Sequence, residues 1–342
     1  MGFEHIRNIA LLPDAEVTAL ADPHQPSREW GLKTVGREVH VFEDYRDLLA
    51  ADVVDAVVIS TPNFTHARIL EDIFQYPELH ILVEKPLCTD LSDCRVVEER
   101  ASTHRGIVWV GMEYRYMPPV AEMVSELRSG RLGQLQRLAI REYRFPFLPK
   151  VADWNRFNRN TGGTLVEKCC HFFDLMNLIV EDRPKRVYAS GAQDVNHLDE
   201  RYDGETPDIL DNAFVIVDYE AGVRAMLDLC MFAEAARDEQ EITVIGDRGL
   251  VECSIPSGDV SVGIRDGRHF EKRHVSVDQD VLEAGFHHGA TYYQHEAFLH
   301  AIRSGSPPDV DVRAGLLAVA IGDAAQQSIA EGRPIEMAEL GL

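Results

Sequence analysis

Through residues 1–117, short runs of apolar and β-branched residues alternate with stretches that carry apolar residues at helical spacing. A run that is apolar throughout, rather than at every second position, is typical of a strand buried on both faces. Such strands in alternation with helices form a parallel sheet with right-handed crossovers, so the sequence predicts an α/β domain. The predicted strands are Glu16 to Asp22, Val54 to Thr61, His80 to Pro86 and Ile107 to Met112, and the predicted helices are Tyr45 to Ala50, Thr65 to Phe74 and Leu91 to His104.

The pattern changes after Pro118 and Pro119, where strand candidates follow one another with turns between them, as in an antiparallel meander. A chain of 342 residues is long enough for two domains. We therefore predict an α/β domain over residues 1–117 and an α+β domain over residues 118–342, with an open, mainly antiparallel sheet and closing helices. The predicted strands are Leu135 to Arg144, Arg186 to Ala192, Asn212 to Tyr219, Arg224 to Phe232, Glu241 to Ile245, Leu250 to Ser254 and His269 to Val275, and the helices are Val120 to Ser129, Thr161 to Val180, Tyr292 to Ser304 and Val312 to Glu331.

The composition is acidic, because 57 Asp and Glu residues face 34 Lys and Arg residues and the formal net charge is −23. This charge repels phosphate backbones and anionic membrane surfaces, so neither a nucleic acid nor a membrane is expected as a partner. No run reaches the roughly 18 apolar residues that span a bilayer, and no basic patch with a following apolar run opens the chain, so a cytoplasmic protein is expected. The six cysteines lack CxxC or disulfide-framework spacing, which predicts reduced thiols.

Two segments that follow predicted strands are candidates for ligand binding. Asp22 lies about 20 residues beyond Gly2, where a dinucleotide-binding fold uses an acidic residue to accept hydrogen bonds from the ribose hydroxyls. A strand-end Asp also serves as a turn former. The second segment joins a buried strand to the helix that contains His66, which is a ligand-binding location in parallel sheets but also suits a helix N-cap. It consists of Ser60, Thr61, Pro62 and Asn63.

Glu84, Lys85 and Pro86 end the third predicted strand. A lysine at this edge of a parallel sheet can hydrogen-bond a reacting hydroxyl and lower its pKa, although exposed strand-end lysines are also common.

A Gly162-Gly163 turn opens the helical segment that carries Glu167 and His171. Residues four apart project from one helix face, so the carboxylate is expected to hydrogen-bond the imidazole and raise its proton affinity, as suits a general base. No metal is expected, because Cys169, Cys170 and His171 are adjacent and point in different directions.

Taken together, these residues resemble the Gfo/Idh/MocA family, the relatives of glucose-fructose oxidoreductase and inositol dehydrogenase. The resemblance covers nearly the whole chain. The combination of Glu-Lys-Pro with a Gly-Gly turn before a helix histidine is specific, although each motif alone is not. The matching positions are Asp22, Thr61-Pro62-Asn63 with His66, Glu84-Lys85-Pro86, Trp154 to Arg156, Gly162-Gly163, His171 with Asp174, and Ser328 to Arg333.

The resemblance implies a Rossmann domain that binds NAD(P), joined to an open-sheet domain that supplies the pocket for a sugar or polyol. Asp22 favours NAD over NADP, because its charge repels a 2′-phosphate, while Arg28 nearby could moderate this preference. The implied cofactor contacts are Gly2, Asp22, Ser60, Thr61, Pro62, Asn63, His66, Glu84 and Lys85.

The resemblance also implies the catalytic roles. His171 would take the hydroxyl proton while hydride passes to the nicotinamide, and Lys85 would polarise the same oxygen. Glu167 stands where many dehydrogenases of the family have Asp, and Lys168-Cys169-Cys170 replaces a frequent apolar-Gly-apolar triplet. The candidate substrate contacts are Arg115, Tyr116, Trp154, Arg156, His288 and Tyr293.

The chain departs from the family at its start. Gly2 matches the third glycine of the G-x-G-x-x-G turn, and Phe3 to Leu12 match the helix behind it. The first strand and the first two glycines have no counterpart, so we expect the natural protein to begin about 10 to 15 residues earlier. That strand is central in a sheet of order 3-2-1-4-5-6, so its two neighbours are expected to lack a partner strand.

Three functions fit this sequence. The leading one is an NAD(P)-dependent dehydrogenase that oxidises a secondary alcohol of a sugar, polyol or inositol. An NAD-dependent glycosidase or an epimerase-like relative would use the same lysine and histidine for a transient oxidation. A non-catalytic sugar or cofactor sensor would share only the scaffold. A homodimer or homotetramer is expected from the family.

Overall fold

The computed structural model describes all 342 residues, and its first part contains two parallel sheets. One sheet pairs β1 (Ala19–Ala21) with β2 (His40–Phe42), and the other has β3 (Ala56–Ile59), β4 (His80–Glu84) and β5 (Val108–Gly111) in that order. β1 and β3 are both edge strands that pair with only one neighbour each, which agrees with the predicted lack of a strand between them.

Helices connect these strands, and the residues before them explain where several begin. The Asp44 side chain accepts a hydrogen bond from the Arg46 backbone, and the Asp90 side chain accepts one from the Asp93 backbone, so both act as N-caps. The helices are α1 (Gly2–Ala10), α2 (Gln25–Val35), α3 (Tyr45–Ala50), α4 (His66–Ile73), α5 (Leu91–Ala101) and α6 (Pro118–Arg128).

The rest of the chain forms a nine-stranded sheet in the order β13-β12-β11-β10-β6-β9-β8-β7-β14, in which only the β6–β9 pair is parallel. Burial alternates along β8, so one face of the sheet is packed and the other is open. The predicted fold class is therefore confirmed. The strands are β6 (Leu135–Tyr143), β7 (Pro184–Ala192), β8 (Asn212–Tyr219), β9 (Arg224–Cys230), β10 (Gln240–Gly246), β11 (Gly249–Ile255), β12 (Asp259–Ile264), β13 (His269–His274) and β14 (Ile335–Glu336).

The predicted single helix from Thr161 to Val180 is wrong. The segment forms α7 (Asn158–Thr161), α8 (Thr164–Glu167) and α9 (Cys170–Val180). Gly162 and Gly163 interrupt it because both adopt left-handed backbone conformations, with φ of 79° and 87°. A second break, between α8 and α9, separates Glu167 from His171.

The C-terminal helices join the two parts of the molecule. They are α10 (Gln279–Ala284), α11 (Ala290–Ser304) and α12 (Val312–Glu331). α12 packs against α5 and β5 on one side and against α9 and β7 on the other, so one hydrophobic core extends across both parts. The division at residue 117 stays a prediction. No helix has the length and apolar character needed to cross a membrane.

We predict that Gly162→Ala destabilises the protein more than Gly36→Ala does. Both glycines have left-handed backbones, but a Cβ at position 162 would lie 2.4 Å from the Thr89 carbonyl oxygen, whereas position 36 has no atom within 4 Å. The left-handed backbone costs an alanine about 1–2 kcal/mol of stability in both variants. The steric clash adds about 1–3 kcal/mol only at position 162. Urea unfolding measures the difference, and equal losses would contradict it.

Candidate active site

The carboxyl end of β4 brings Lys85 to the helical segment of the second part. Its Nζ donates a hydrogen bond to the backbone carbonyl of Glu167 at the end of α8, with a distance of 2.9 Å. This bond joins the edge of the parallel sheet to the segment that carries His171. The structure thus brings together the three residues that were predicted to be catalytic.

Glu84, the neighbour of Lys85, is held by a buried chain of imidazoles. His5 Nε2 lies 3.0 Å from a Glu84 carboxylate oxygen, and His5 Nδ1 lies 2.9 Å from His295 Nε2. Burial alone would raise the pKa of Glu84, but the hydrogen bond and charge of His5 outweigh it and lower that pKa. Glu84 is therefore a fixed carboxylate beside Lys85.

Glu167 does not hydrogen-bond His171, so the predicted i,i+4 pair is wrong. A helix break follows Glu167, no hydrogen bond joins the two side chains, and neither Glu167 Oε2 nor His171 Nδ1 has a hydrogen-bond partner. Burial raises the pKa of Glu167 to about 7, although the charges of Lys85 and other nearby cations oppose this shift. The Glu167 carboxyl therefore exchanges its proton near neutral pH.

His171 lies against Tyr114, which sequence reasoning did not single out. Their rings are parallel within 3° and their centroids are 3.9 Å apart. His171 is 2% exposed. Burial lowers its pKa far below the ordinary value, and the charges of Lys85, Lys168 and other cations add to the effect. The imidazole is therefore neutral at physiological pH.

Lys168 holds Tyr114, one of the two stacked rings, through a hydrogen bond. Its Nζ donates to the Tyr114 hydroxyl at 2.7 Å and lies 2.8 Å from a carboxylate oxygen of Glu142 on β6, and all three groups are buried. The sequence contained a signal for this contact, because Lys168 stands where the resembling family usually has an apolar residue.

The predicted cofactor residues begin α1 or lie at the carboxyl ends of β1, β3 and β4. Gly2 at the start of α1 approaches Ser60 so closely that an added Cβ would lie 3.2 Å from the Ser60 hydroxyl. Asn63 is buried, and its side-chain Nδ2 donor has no partner. Asp22 follows β1, where its Oδ1 accepts a hydrogen bond from the His24 backbone. A helix N-terminus, a free amide donor and a strand-end carboxylate fit a dinucleotide.

His66, by contrast, is fully buried between two turns. Its ring nitrogens lie 2.9 Å from the Pro86 carbonyl oxygen and 3.1 Å from the Thr61 carbonyl oxygen. These contacts hold the Thr61-Pro62 turn against the Glu-Lys-Pro segment. His66 thus has a positioning role in the fold, and its contact with a cofactor stays a prediction.

Several predicted substrate contacts are engaged elsewhere. Arg115 forms a two-pronged ion pair with Asp174, and Tyr116 donates to the Asp309 carboxylate. The buried Arg156 donates to Glu200 at 2.9 Å. These guanidinium groups already have charged partners, which argues against a direct role in sugar binding.

The other three candidates have freer surroundings. Trp154 meets the partly exposed Phe64 edge to face at 6.3 Å. Tyr293 packs edge-on against Tyr292, and His288 has a left-handed backbone with φ of 53°. Their role in substrate binding stays a prediction.

Sequence reasoning also missed a group of polar residues between α1 and α11. Glu4 and Glu113 are buried carboxylates that contact His287 and Thr291. A signal was present for Glu113 alone, because it follows the predicted strand that ends at Met112 and so lies at the ligand-binding edge of the sheet.

Two parallel sheets joined to an open, mainly antiparallel sheet fit the class of NAD-dependent oxidoreductases. Family models confirm this class: residues 1–112 match "Oxidoreductase family, NAD-binding Rossmann fold", and residues 124–337 match "Oxidoreductase family, C-terminal alpha/beta domain". The chain belongs to the Gfo/Idh/MocA oxidoreductase family. The predicted family and the predicted cofactor, NAD, are confirmed.

Curated relatives match almost the full chain. An uncharacterized oxidoreductase of Bacillus subtilis, YrbE, is 27% identical over 98% of this chain and 94% of its own length. Inositol 2-dehydrogenase of Rhizobium meliloti is 28% identical over 99% of this chain and 96% of its own length.

Solved structures share the fold at lower identity. Levoglucosan dehydrogenase in complex with NADH and levoglucosan superposes with a TM-score of 0.83 at 17% identity, covering 98% of this chain and 95% of that chain. An oxidoreductase from Agrobacterium radiobacter in complex with NAD+, L-tartaric acid and magnesium also gives 0.83 at 17% identity, covering 99% and 96%. At this identity the likeness shows the fold.

We predict that Glu167→Gln stabilises the protein increasingly as the pH rises. The folded state holds the Glu167 proton more tightly than the unfolded chain, whose carboxyl has the ordinary pKa of 4.5. Below that value the carboxyl is protonated in both states. Between about pH 5 and pH 8 the wild type therefore loses up to about 3 kcal/mol that the amide variant keeps.

Urea unfolding at several pH values measures this difference. The matched control is Glu234→Gln, since Glu234 is exposed. A stability difference for Glu167→Gln that does not change with pH would contradict the prediction.

Proposed function

We propose that this protein is an NAD-dependent dehydrogenase that oxidises a secondary alcohol of a polyol or sugar, with His171 as the base and Lys85 as the group that polarises the reacting oxygen. The observation that carries the proposal is the bond between Lys85 Nζ and the Glu167 carbonyl, 2.9 Å long. It places an ammonium group at the end of α8, just before the helix that carries a buried, neutral imidazole whose Nδ1 has no partner.

The geometry supports different roles for His171 and Lys85. A neutral imidazole has one free lone pair and can accept the hydroxyl proton of the substrate. The ammonium of Lys85 can donate a hydrogen bond to the same oxygen and stabilise its developing negative charge. Bound NAD supplies the acceptor for the hydride that leaves the carbinol carbon. The products are a ketone, NADH and a proton.

The low pKa of His171 is compatible with this role. A histidine with a low pKa binds a proton weakly, but its lone pair is free throughout the physiological pH range. Lys85 lowers the proton affinity of His171 and also that of a bound hydroxyl, so the two shifts oppose each other and the transfer remains feasible.

The proposal also assigns residues of the first part to NAD binding. The N-terminus of α1 with Gly2 and Ser60 would face the pyrophosphate, and the Asp22 carboxylate would accept hydrogen bonds from the adenosine ribose. Asn63 Nδ2 is a free donor for a cofactor oxygen.

The relatives support a polyhydroxylated substrate. Several curated relatives are named inositol 2-dehydrogenases, and they align over most of this chain. A cyclic polyol presents several hydroxyl groups, which suits a site with many polar side chains.

The substrate class is tested by following NADH absorbance with a panel of inositols, aldoses, deoxy sugars and levoglucosan. We expect net reduction of NAD+ with at least one cyclic polyol and slower reduction of NADP+, because the Asp22 carboxylate repels a 2′-phosphate. Product formation without net NADH would instead support transient oxidation, as in a glycosidase or an epimerase. Tight NADH binding without any product would support a sensor.

The base is tested by His171→Ala. We expect kcat to fall by about 10²- to 10⁴-fold, the usual contribution of a general base, while the Kd for NADH stays unchanged. His300→Ala, at an exposed position of α11, is the matched control. A parallel loss of NADH binding and thermal stability in His171→Ala would show that the histidine is structural.

A further inference from the structure

Two buried carboxylates converge on one imidazole beside the proposed catalytic site. His287 Nδ1 lies 2.9 and 3.0 Å from the two carboxylate oxygens of Glu4 and 3.5 Å from an oxygen of Glu113. Glu4 belongs to α1, Glu113 follows β5, and both are buried. We call Glu4, Glu113, His287 and Thr291 the His287 cluster.

The Thr291 hydroxyl connects the two carboxylates. Its Oγ1 lies 3.0 Å from Glu4 Oε1 and 2.5 Å from Glu113 Oε2. The single hydroxyl hydrogen of Thr291 points between two carboxylate acceptors, and the contact with Glu113 is the shorter one. Burial, together with the charges of Glu84 and Glu4, raises the pKa of Glu113, although His287 opposes the shift. Glu113 therefore releases its proton less readily than Glu4, whose pKa is lowered chiefly by its contacts with His287.

The opposite side of the His287 ring is free. Nδ1 is occupied by Glu4, whereas Nε2 makes no hydrogen bond within the protein and the side chain is 27% exposed. The ring centroid lies 6.5 Å from that of Tyr114, the ring on which His171 stacks. His287 thus lies next to the aromatic stack that holds the proposed base.

We propose that His287 is a specificity-determining residue: Glu4 and Glu113 hold its ring as an imidazolium, and Nε2–H donates a hydrogen bond to a substrate oxygen other than the one oxidised at His171. This inference rests on the proposed function and adds to it a residue that the sequence reasoning did not place in the site. A cyclic polyol carries several oxygens, so one can meet Lys85 and His171 while another meets His287.

The charged surroundings of His287 favour the imidazolium. Burial alone would lower the pKa of His287, but the charge of Glu113 and the hydrogen bond that Nδ1–H donates to Glu4 outweigh it, so that pKa is raised. A charged donor forms a hydrogen bond roughly twice as strong as a neutral one. The titratable groups that face His287 are Glu4 from α1, Glu113 after β5, Lys168 before α9, His171 within α9, and the neighbouring His288.

The protonation state is tested first, by nitrogen NMR of the full-length protein bound to NADH. We expect both His287 nitrogens to remain protonated above the ordinary histidine pKa of 6.5. The His287→Asn variant assigns the signals by their loss. Glu4→Gln should lower the pKa of His287, because it removes the negative charge from Nδ1. A neutral His287 at pH 6 in the wild type would overturn the proposal, whether or not the protein turns over any substrate.

Steady-state kinetics then test the contact, with the best cyclic polyol from the panel as substrate. Asn places its amide nitrogen near the position of Nδ1, so His287→Asn keeps a donor for Glu4 but lacks a donor at Nε2. Losing a hydrogen bond from a charged group costs about 10- to 100-fold, so we expect KM for the polyol to rise by that factor while kcat and the Kd for NADH stay nearly constant.

His287→Gln, which keeps a neutral donor near Nε2, should show a smaller rise in KM than His287→Asn, and His300→Gln should match the wild type. Equal KM values for all four proteins would overturn the contact. A His287→Asn variant with a lower melting temperature and weaker NADH binding would assign His287 a structural role and overturn it as well. If no polyol is oxidised by the wild type, the proposed function fails, while the NMR result still stands for the His287 cluster.

Discussion

A buried ammonium group must find charged or polar partners, because its transfer from water is otherwise prohibitively costly, and Lys168 meets this requirement in a way that determines where His171 lies. Its partners come from two separate elements: Glu142 from β6 at 2.8 Å and the Tyr114 hydroxyl from the segment after β5 at 2.7 Å. Tyr114 is thereby held in the orientation in which its ring stacks on His171. One buried cation thus connects the large sheet, the edge of the parallel sheet and the proposed base.

The local electrostatics differ in sign from those of the whole chain. The formal charge is −23, yet the charged groups that act most strongly on His171 are Lys85, Lys168, His287 and Arg144, all of them cations. Two buried carboxylates of the region have cationic or imidazole partners, since Glu142 pairs with Lys168 and Glu84 with His5. Burial and this positive environment together keep His171 neutral, and the positive charges favour an oxygen that gains negative charge as its proton leaves.

The sequence predicted the strands whose apolar runs are continuous. It also predicted that Lys85 lies at the end of one of them, because these features depend on neighbours along the chain. It did not predict the break between Glu167 and His171, since the pattern of apolar residues continues across it and both Lys168 and Cys169 keep right-handed helical backbones. Nor could spacing show that Tyr114 stacks on His171, or that Glu4 meets a histidine 283 residues away. Such contacts depend on how helices and sheets pack, which periodicity does not encode.

The polar atoms that lack partners bear on the choice between a dehydrogenase and a sensor. Asn63 Nδ2, Glu167 Oε2 and His171 Nδ1 are buried without a hydrogen bond, and each such group costs folding about 1–3 kcal/mol. The contrast with His66 is informative, because that buried ring has a carbonyl oxygen near each nitrogen. A sensor and a base both need polar atoms that no protein group occupies, so a free nitrogen alone does not separate them. A base also needs a nearby cation that stabilises the oxygen losing its proton, and the charge of Lys85 that acts on His171 therefore supports the proposed dehydrogenase over a sensor.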